Sequence, residues 1–219
     1  MSKKSEGGDY LGKQKEYCDL YKIDFERVKN LNSRIMPLIE TGLGKAAIIA
    51  LRNAYADVNQ NMDYWLNIWR LSNDETNRPK PQEKSLLDLF LYLLLVEGIS
   101  SKLVEIITFM LMENDHDLYD PTDMKFVAEY SKLDKVSLFV KLQFIEKHGF
   151  GLLADAIDRE LRNCIAHIDL IVNEDGSIIN KRNRKKISNL KQRTDYLGSV
   201  GTIILTVMDY SLRKISAIE

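Results

Sequence analysis

Turn-forming residues are scarce in this sequence. Four prolines and eleven glycines among 219 residues are too few for an all-β chain, which needs a reversal roughly every ten residues. Two cysteines, Cys18 and Cys164, make no disulfide framework, and a reducing compartment is expected for such a chain. Neither sign of charge prevails. Lys and Arg number 31 against 32 Asp and Glu, a formal net charge of −1. No global field therefore draws the chain to nucleic acid or to an anionic membrane, and binding of that kind has to come from a local patch.

Long hydrophobic runs are missing too. The most apolar stretch, Leu89 to Val96 ("LFLYLLLV"), is enclosed by Asp88 and Glu97 and is far shorter than the roughly 20 residues of a transmembrane helix. The opening "MSKKSEGGDYLGKQKEY" is charged but has no apolar segment of the kind a signal peptide carries. A cytoplasmic protein that makes no use of a membrane is expected. The three histidines and two cysteines are scattered, so no structural metal is expected, even though His116 sits among Glu113, Asp115, Asp117 and Asp120. "TGLGKAA" (Thr41 to Ala47) lacks the spacing of a phosphate-binding loop, and no HExxH or GxSxG string occurs. No cofactor is expected.

Helical periodicity dominates what remains, with apolar residues at 45% and charged ones at 29%. It runs from Lys15 to about Asn30, is interrupted around Pro37 and "TGLG", and resumes over Lys45 to Leu71 with Leu51, Val58, Met62, Trp65 and Trp69 at helical steps. "SNDETNRPKPQEKS" (Ser72 to Ser85) is polar and proline-bearing. These marks divide the chain into an unassigned N-terminal helical region at 1–75, a polar linker at 76–85 and a helical domain at 86–219. Within that domain, Ser85 to Met112 reads as one buried helix, "NDHDLYDPTD" as a loop, and "DMKFVAEYS" and "DKVSLFVKLQFIEKH" as two helices. A further helix fits Leu152 to Ala166. Then the period shortens: "HIDLIVNEDGSIINK" alternates about Asp175-Gly176, which predicts a β-hairpin at about 169–181. A last helix follows from about Ser188. The fold class expected is all-α, a helical bundle with one small hairpin before its final helix.

At the end of the helix before that hairpin stands "LRNCIAH" (Leu161 to His167). Leu153, Ile157, Leu161, Cys164 and Ile168 form the apolar stripe, so Cys164 is expected as a packed thiol. Arg162, Asn163 and His167 are the polar residues left over. Imidazole titrates near neutral pH and suits general acid–base work, while a guanidinium pairs two-pronged with the charge of a phosphorane. Positions five apart lie about 140° apart on a regular helix. Arg162 and His167 therefore meet only if the helix ends at about Ala166 and His167 swings round, or if they meet across a dimer. The purely structural alternative has Arg162 bridging Asp158 and His167 capping the helix against its dipole. "LRNAYAD" (Leu51 to Asp57) begins like the motif and lacks its His.

The Arg-Asn-x-x-x-His string, the hairpin with Asp-Gly and the terminal helix together resemble the HEPN superfamily, whose signature is an Arg, four to six residues and a His. The resemblance covers about Leu86 to the C-terminus. It implies a HEPN-like bundle and a ribonuclease that works without a metal, its site formed where two motif helices meet in a homodimer. His167 would be the general base or acid, Arg162 the stabiliser of the transition state and Asn163 the orienting group. It also implies kinship with toxins and antiviral defence nucleases restrained by an antitoxin-like partner.

The basic stretch "KRNRKKISNLKQR" puts Lys181, Arg182, Arg184, Lys185, Lys186, Lys191 and Arg193 close together, a candidate contact for the RNA backbone. It contains no aromatic residue, so it would hold phosphates rather than stack bases. A solvated sheet edge is the competing account of the same charges. A non-catalytic RNA-binding or protein-interaction module is the alternative function.

Overall fold

The computed structural model describes residues 7–73, 79–127 and 129–216. The protein is mostly helical. Helix α1 (Gly7–Tyr21) is followed by a turn in which Lys22 takes a left-handed backbone (φ 55). Asp24 then caps α2 (Phe25–Glu40) by accepting the Glu26 N–H at 2.9 Å. The break thus falls at residues 22–24, and α2 passes through Pro37 to end at Glu40. Val28, Leu31, Ile35 and Ile39 give α2 its buried stripe.

Helix α3 (Lys45–Ser72) has the extent its periodicity predicts. Two indoles fasten it: Trp65 Nε1 donates to the Leu91 carbonyl at 3.0 Å, and Trp69 Nε1 to Asp195 Oδ1 at 3.1 Å. The expected linker at 76–85 falls partly on 74–78, outside the described residues. From Pro81 the chain is again helical, and Leu95–Ser100 adopts a wide π turn between α4 (Pro81–Leu94) and α5 (Ser101–Glu113). The expected single helix is thus a continuous helical run from Pro81 to Glu113 that widens at 95–100 into a turn of the kind that gathers at functional sites.

Two expectations fail beyond α5. "NDHDLYDPTD" is not all loop and "DMKFVAEYS" is not a helix. Leu118–Asp120 (β1) pairs antiparallel with Lys125–Val127 (β2), and a 3₁₀ segment follows at Tyr130–Lys135. The Asp120 carboxylate takes the Thr122 N–H at 2.8 Å, and this Asx turn beside Pro121 reverses the chain. Helix α6 (Leu138–Lys147) starts at the Ser137 cap and stops before Gly149 (φ 90). The predicted helix 152–166 is two helices, α7 (Gly151–Ala156) and α8 (Arg159–Ala166), parted at Ile157–Asp158.

The predicted hairpin is present as β3 (Leu170–Val172) and β4 (Ile178–Asn180). A third strand, β5 (Lys186–Ile187), extends it. Among the described residues there are therefore two small antiparallel sheets where one was expected.

Helix α9 (Leu190–Ser216) packs against α1, α2, α3, α4 and α7. Gly198 and Gly201 permit the approach to α3, since a Cβ at Gly198 would lie 3.0 Å from the Trp65 ring. Residues from before and after the 74–78 gap share one hydrophobic core, from Val28 and Leu51 to Leu103 and Ile204. Among the described residues, no helix is long and apolar enough to cross a membrane.

Candidate functional site

Helix α8 is short and strongly anchored at its start. The Asp158 carboxylate accepts the Leu161 N–H at 2.9 Å and pairs with Arg193. Its backbone is gripped by the wholly buried Tyr92, whose hydroxyl accepts the Asp158 N–H at 3.0 Å and donates to the Asp158 carbonyl at 3.2 Å. Burial pushes the Tyr92 hydroxyl well above the usual phenol range, the nearby Asp158 adding to the shift. The phenol therefore stays protonated and able to donate.

The far end of α8 carries the motif. His167 is the C-cap residue (φ −96, ψ 4), and its N–H donates to the Asn163 carbonyl at 3.0 Å. Ile168 then enters the left-handed region (φ 55), and the Asp169 N–H closes the helix end on the Cys164 carbonyl at 2.8 Å. Glycine is the usual residue at such a position. A β-branched side chain there is strained. Ile168 was expected in the buried stripe, but it is 75% exposed, because the left-handed turn throws its side chain outward. Leu153, Ile157, Leu161 and Cys164 are buried as expected.

Cys164 receives the Asn180 side-chain N–H at 3.0 Å. Burial, and then Glu160, raise its thiol above the ordinary value. It is a packed, protonated group and no nucleophile.

The helix ends at Ala166, yet His167 does not swing round to Arg162. Among the described residues no hydrogen bond or ring contact joins the two, and the exposed imidazole has no side-chain partner. Arg162 does not bridge Asp158 either. Its Nε pairs with Glu97, in the π turn, while Nη1 donates to Asn163 Oδ1 at 3.1 Å. Arg162 and Asn163 thus form one oriented unit, and His167 lies apart from it at the helix end. Glu97 was not foreseen as a site residue. Its signal was an acid ending an apolar run and followed by Gly98. Leu86 and Phe90 are about half exposed and lie with Glu97 along one side of α4 and the turn after it.

The basic residues divide into two groups. Lys181 donates to the Ile168 carbonyl at 2.8 Å, Arg182 pairs with Asp169, Lys191 reaches Asn73 Oδ1 at 2.7 Å, and Arg193 is taken by Asp158. Lys181 and Arg182 brace the turn that holds His167. The side chains of Arg184 and Lys185 are exposed and have no hydrogen-bonded or ionic partner among the described residues, and the exposed Lys186 meets Asp175 only through its charge. Also among those residues, no three His, Cys, Asp or Glu side chains are gathered as a metal ion would require. No protein-family model matches the chain, and no curated protein or solved structure is similar to it.

Proposed function

We propose that the protein is a HEPN-like RNA endonuclease that needs no metal, works as a homodimer and is held in check by an antitoxin-like partner. The observation that carries the reading is the state of the motif itself. Arg162 and Asn163 form one oriented unit on α8, His167 stands exposed at the end of the same helix, and none of the three is spent on the core. Glu97 fixes the direction of the guanidinium, Asn163 shares it, and the braced turn at 168–169 holds the backbone from which the imidazole projects. Such support around polar side chains is what preorganised electrostatic catalysis needs.

The chemistry follows from these groups. His167 draws the proton from a ribose 2′-hydroxyl or returns one to the leaving 5′-oxygen, and Arg162 pairs with the phosphorane's added charge. Arg162 and His167 do not meet within one chain, so a second copy has to supply the counterpart. The exposed Leu86 and Phe90 beside Glu97 favour that contact, since apolar surface of this kind marks association.

The test is incubation with mixed cellular RNA in excess EDTA, beside Arg162→Ala and His167→Ala proteins. Cleavage by the wild type alone, leaving 2′,3′-cyclic phosphate ends, is expected. Mixing the two inactive variants restores part of the activity if each site is shared, and cleavage by all three overturns the assignment. One observation favours the second reading, a non-catalytic RNA-binding or interaction module: Glu97 already neutralises Arg162. RNA bound and never cut, with a fully dimeric wild type, is the result that selects it.

A further inference from the structure

A cleft of about 1110 Å³ opens between the end of α1, the α7–α8 break and the first turns of α9. Tyr21 and Tyr196, both partly buried, line it, with the amides of Asn189 and Gln192 and the ammonium groups of Lys22 and Lys191. A second cavity of about 210 Å³ adjoins it and shares the Asp158–Arg193 pair. That cavity runs on to Lys185 and Lys186. The two make one track from the α1–α2 turn to the basic edge of the three-stranded sheet.

Charge decides what the track can hold. Asp155 is paired with Arg27 at 2.6 Å and Asp158 with Arg193. Asp195 accepts from the Trp69 indole and Glu160 from the Asn183 amide, both at 3.1 Å, and these two donors are neutral. The side chains of Lys22 and Lys185 have no hydrogen-bonded or ionic partner among the described residues, Lys186 feels only the charge of Asp175, and Lys191 meets only the neutral Asn73. Along the track four cations meet Asp195 and Glu160, with Asp175 beside Lys186, and the surplus is positive. The stretch 181–193 has no aromatic of its own, but the fold brings two tyrosines to its end. Aromatic faces interleaved with cations along a groove are what unpaired nucleic acid requires. The amides of Asn189 and Gln192 offer both donors and acceptors to a base edge.

We propose that this track is the binding path for a single-stranded RNA segment, with an unstacked base against Tyr21 and Tyr196 and the flanking phosphates on Lys22, Lys191, Lys185 and Lys186. The proposal rests on the RNA reading of α8 and extends it to a site that does not include Arg162 or His167. The cleft selects single strands, because a base held in a duplex cannot leave its stack to reach the tyrosines.

The test is fluorescence anisotropy with a short labelled oligouridine in EDTA, using His167→Ala protein to prevent cleavage. Tyr21→Leu and Tyr196→Leu each weaken binding roughly five-fold or more. A Lys22→Ala/Lys191→Ala protein loses about 1.4 from the slope of log affinity against log salt, two phosphate contacts at about 0.7 each. Lys125→Ala, on the β1–β2 hairpin, changes neither. A 4-thiouridine in the same RNA crosslinks to the peptides that hold Tyr21 or Tyr196. Should Tyr196→Leu fail to fold, the exposed lysine pair and the crosslink carry the test.

Affinity and salt slope equal to the parent's in all these variants overturn the track. The nuclease reading survives that result if wild-type protein cuts RNA and His167→Ala does not. RNA that crosslinks in the cleft and is never cut supports the track and removes the nuclease. No RNA binding by the parent overturns the track outright.

Discussion

Replacing Tyr92 by Phe removes one oxygen atom and tests what holds the motif helix. The ring is wholly buried, and its hydroxyl both accepts the Asp158 N–H at 3.0 Å and donates to the Asp158 carbonyl at 3.2 Å. Phenylalanine fills nearly the same volume, so no large cavity forms and the loss is confined to those two bonds. The Asp158 carbonyl keeps the Arg162 N–H at 2.9 Å, but the Asp158 N–H is left without a partner, and an unmet donor in a partly buried setting costs about 1–3 kcal/mol. For a domain of this size each kcal/mol lowers Tm by roughly 2–4 °C, so a fall of about 2–12 °C is expected by calorimetry or circular dichroism. Hydrogen exchange locates the damage: the Asp158 and Leu161 amides should lose protection, while Leu103 and Val207 in the core should not. Cleavage should drop as well, since α8 would lose its anchorage opposite Arg162. A Tm unchanged within a degree, with Asp158 still protected, refutes the argument that Tyr92 is the clamp.

Ile168→Gly should stabilise the protein by about 1 kcal/mol, because the left-handed backbone at φ 55 costs a β-branched residue roughly that much and the exposed side chain returns little. A lower Tm would show that Ile168 makes a contact absent from the single chain. Glu105→Ala should cost about 3–5 kcal/mol by denaturant titration, because it leaves the buried Lys141 ammonium without its carboxylate at 2.8 Å. Burial alone would push the Glu105 carboxyl up, but hydrogen bonds from Lys141 and Lys102 outweigh it and hold it below the ordinary 4.5. Its folded value is thus depressed, and its contribution is complete above about pH 5 and lost as pH falls through that lowered value. Stability measured against pH should therefore be flatter below pH 5 in Glu105→Gln than in wild type. Glu97→Ala should move Tm by only a few degrees, the pair being well exposed. It should reduce RNA cleavage about ten- to a hundred-fold through loss of guanidinium orientation, and unchanged cleavage would make Glu97 a bystander.

How much of this was legible depended on whether the signal was local. Helix α3 was readable because every buried side chain recurs at helical steps over 28 residues. The β3–β4 hairpin was readable because Asp175-Gly176 needs no partner to turn, and Gly176 does take φ 81. The split between α7 and α8 was hidden. It is made by Tyr92, 66 residues away in sequence, although Asp158, three residues before Leu161, is a cap signal that could have been weighed. The β1–β2 hairpin was missed because its aromatics, Tyr119 and Phe126, face each other at 5.3 Å across a turn read as loop, and because "MKFVAEY" also suits a helix. Of the site, the residue types in "LRNCIAH" were legible and their directions were not. Arg162 answers to Glu97, which lies 65 positions upstream, and Ile168 faces outward through one backbone torsion.

The position of α9 decides when the parts that have left the ribosome can be covered. This helix follows α1, α2, α3, α4 and α7 in the chain and covers a face of each. A nascent chain therefore carries those apolar faces uncovered until Leu190–Ser216 has emerged, and folding cannot close region by region behind the ribosome. Any product that stops short of α9 presents to chaperones and proteases the surface that Leu197, Val200, Ile204 and Met208 would have sealed. An intact message thereby becomes a condition for a folded protein.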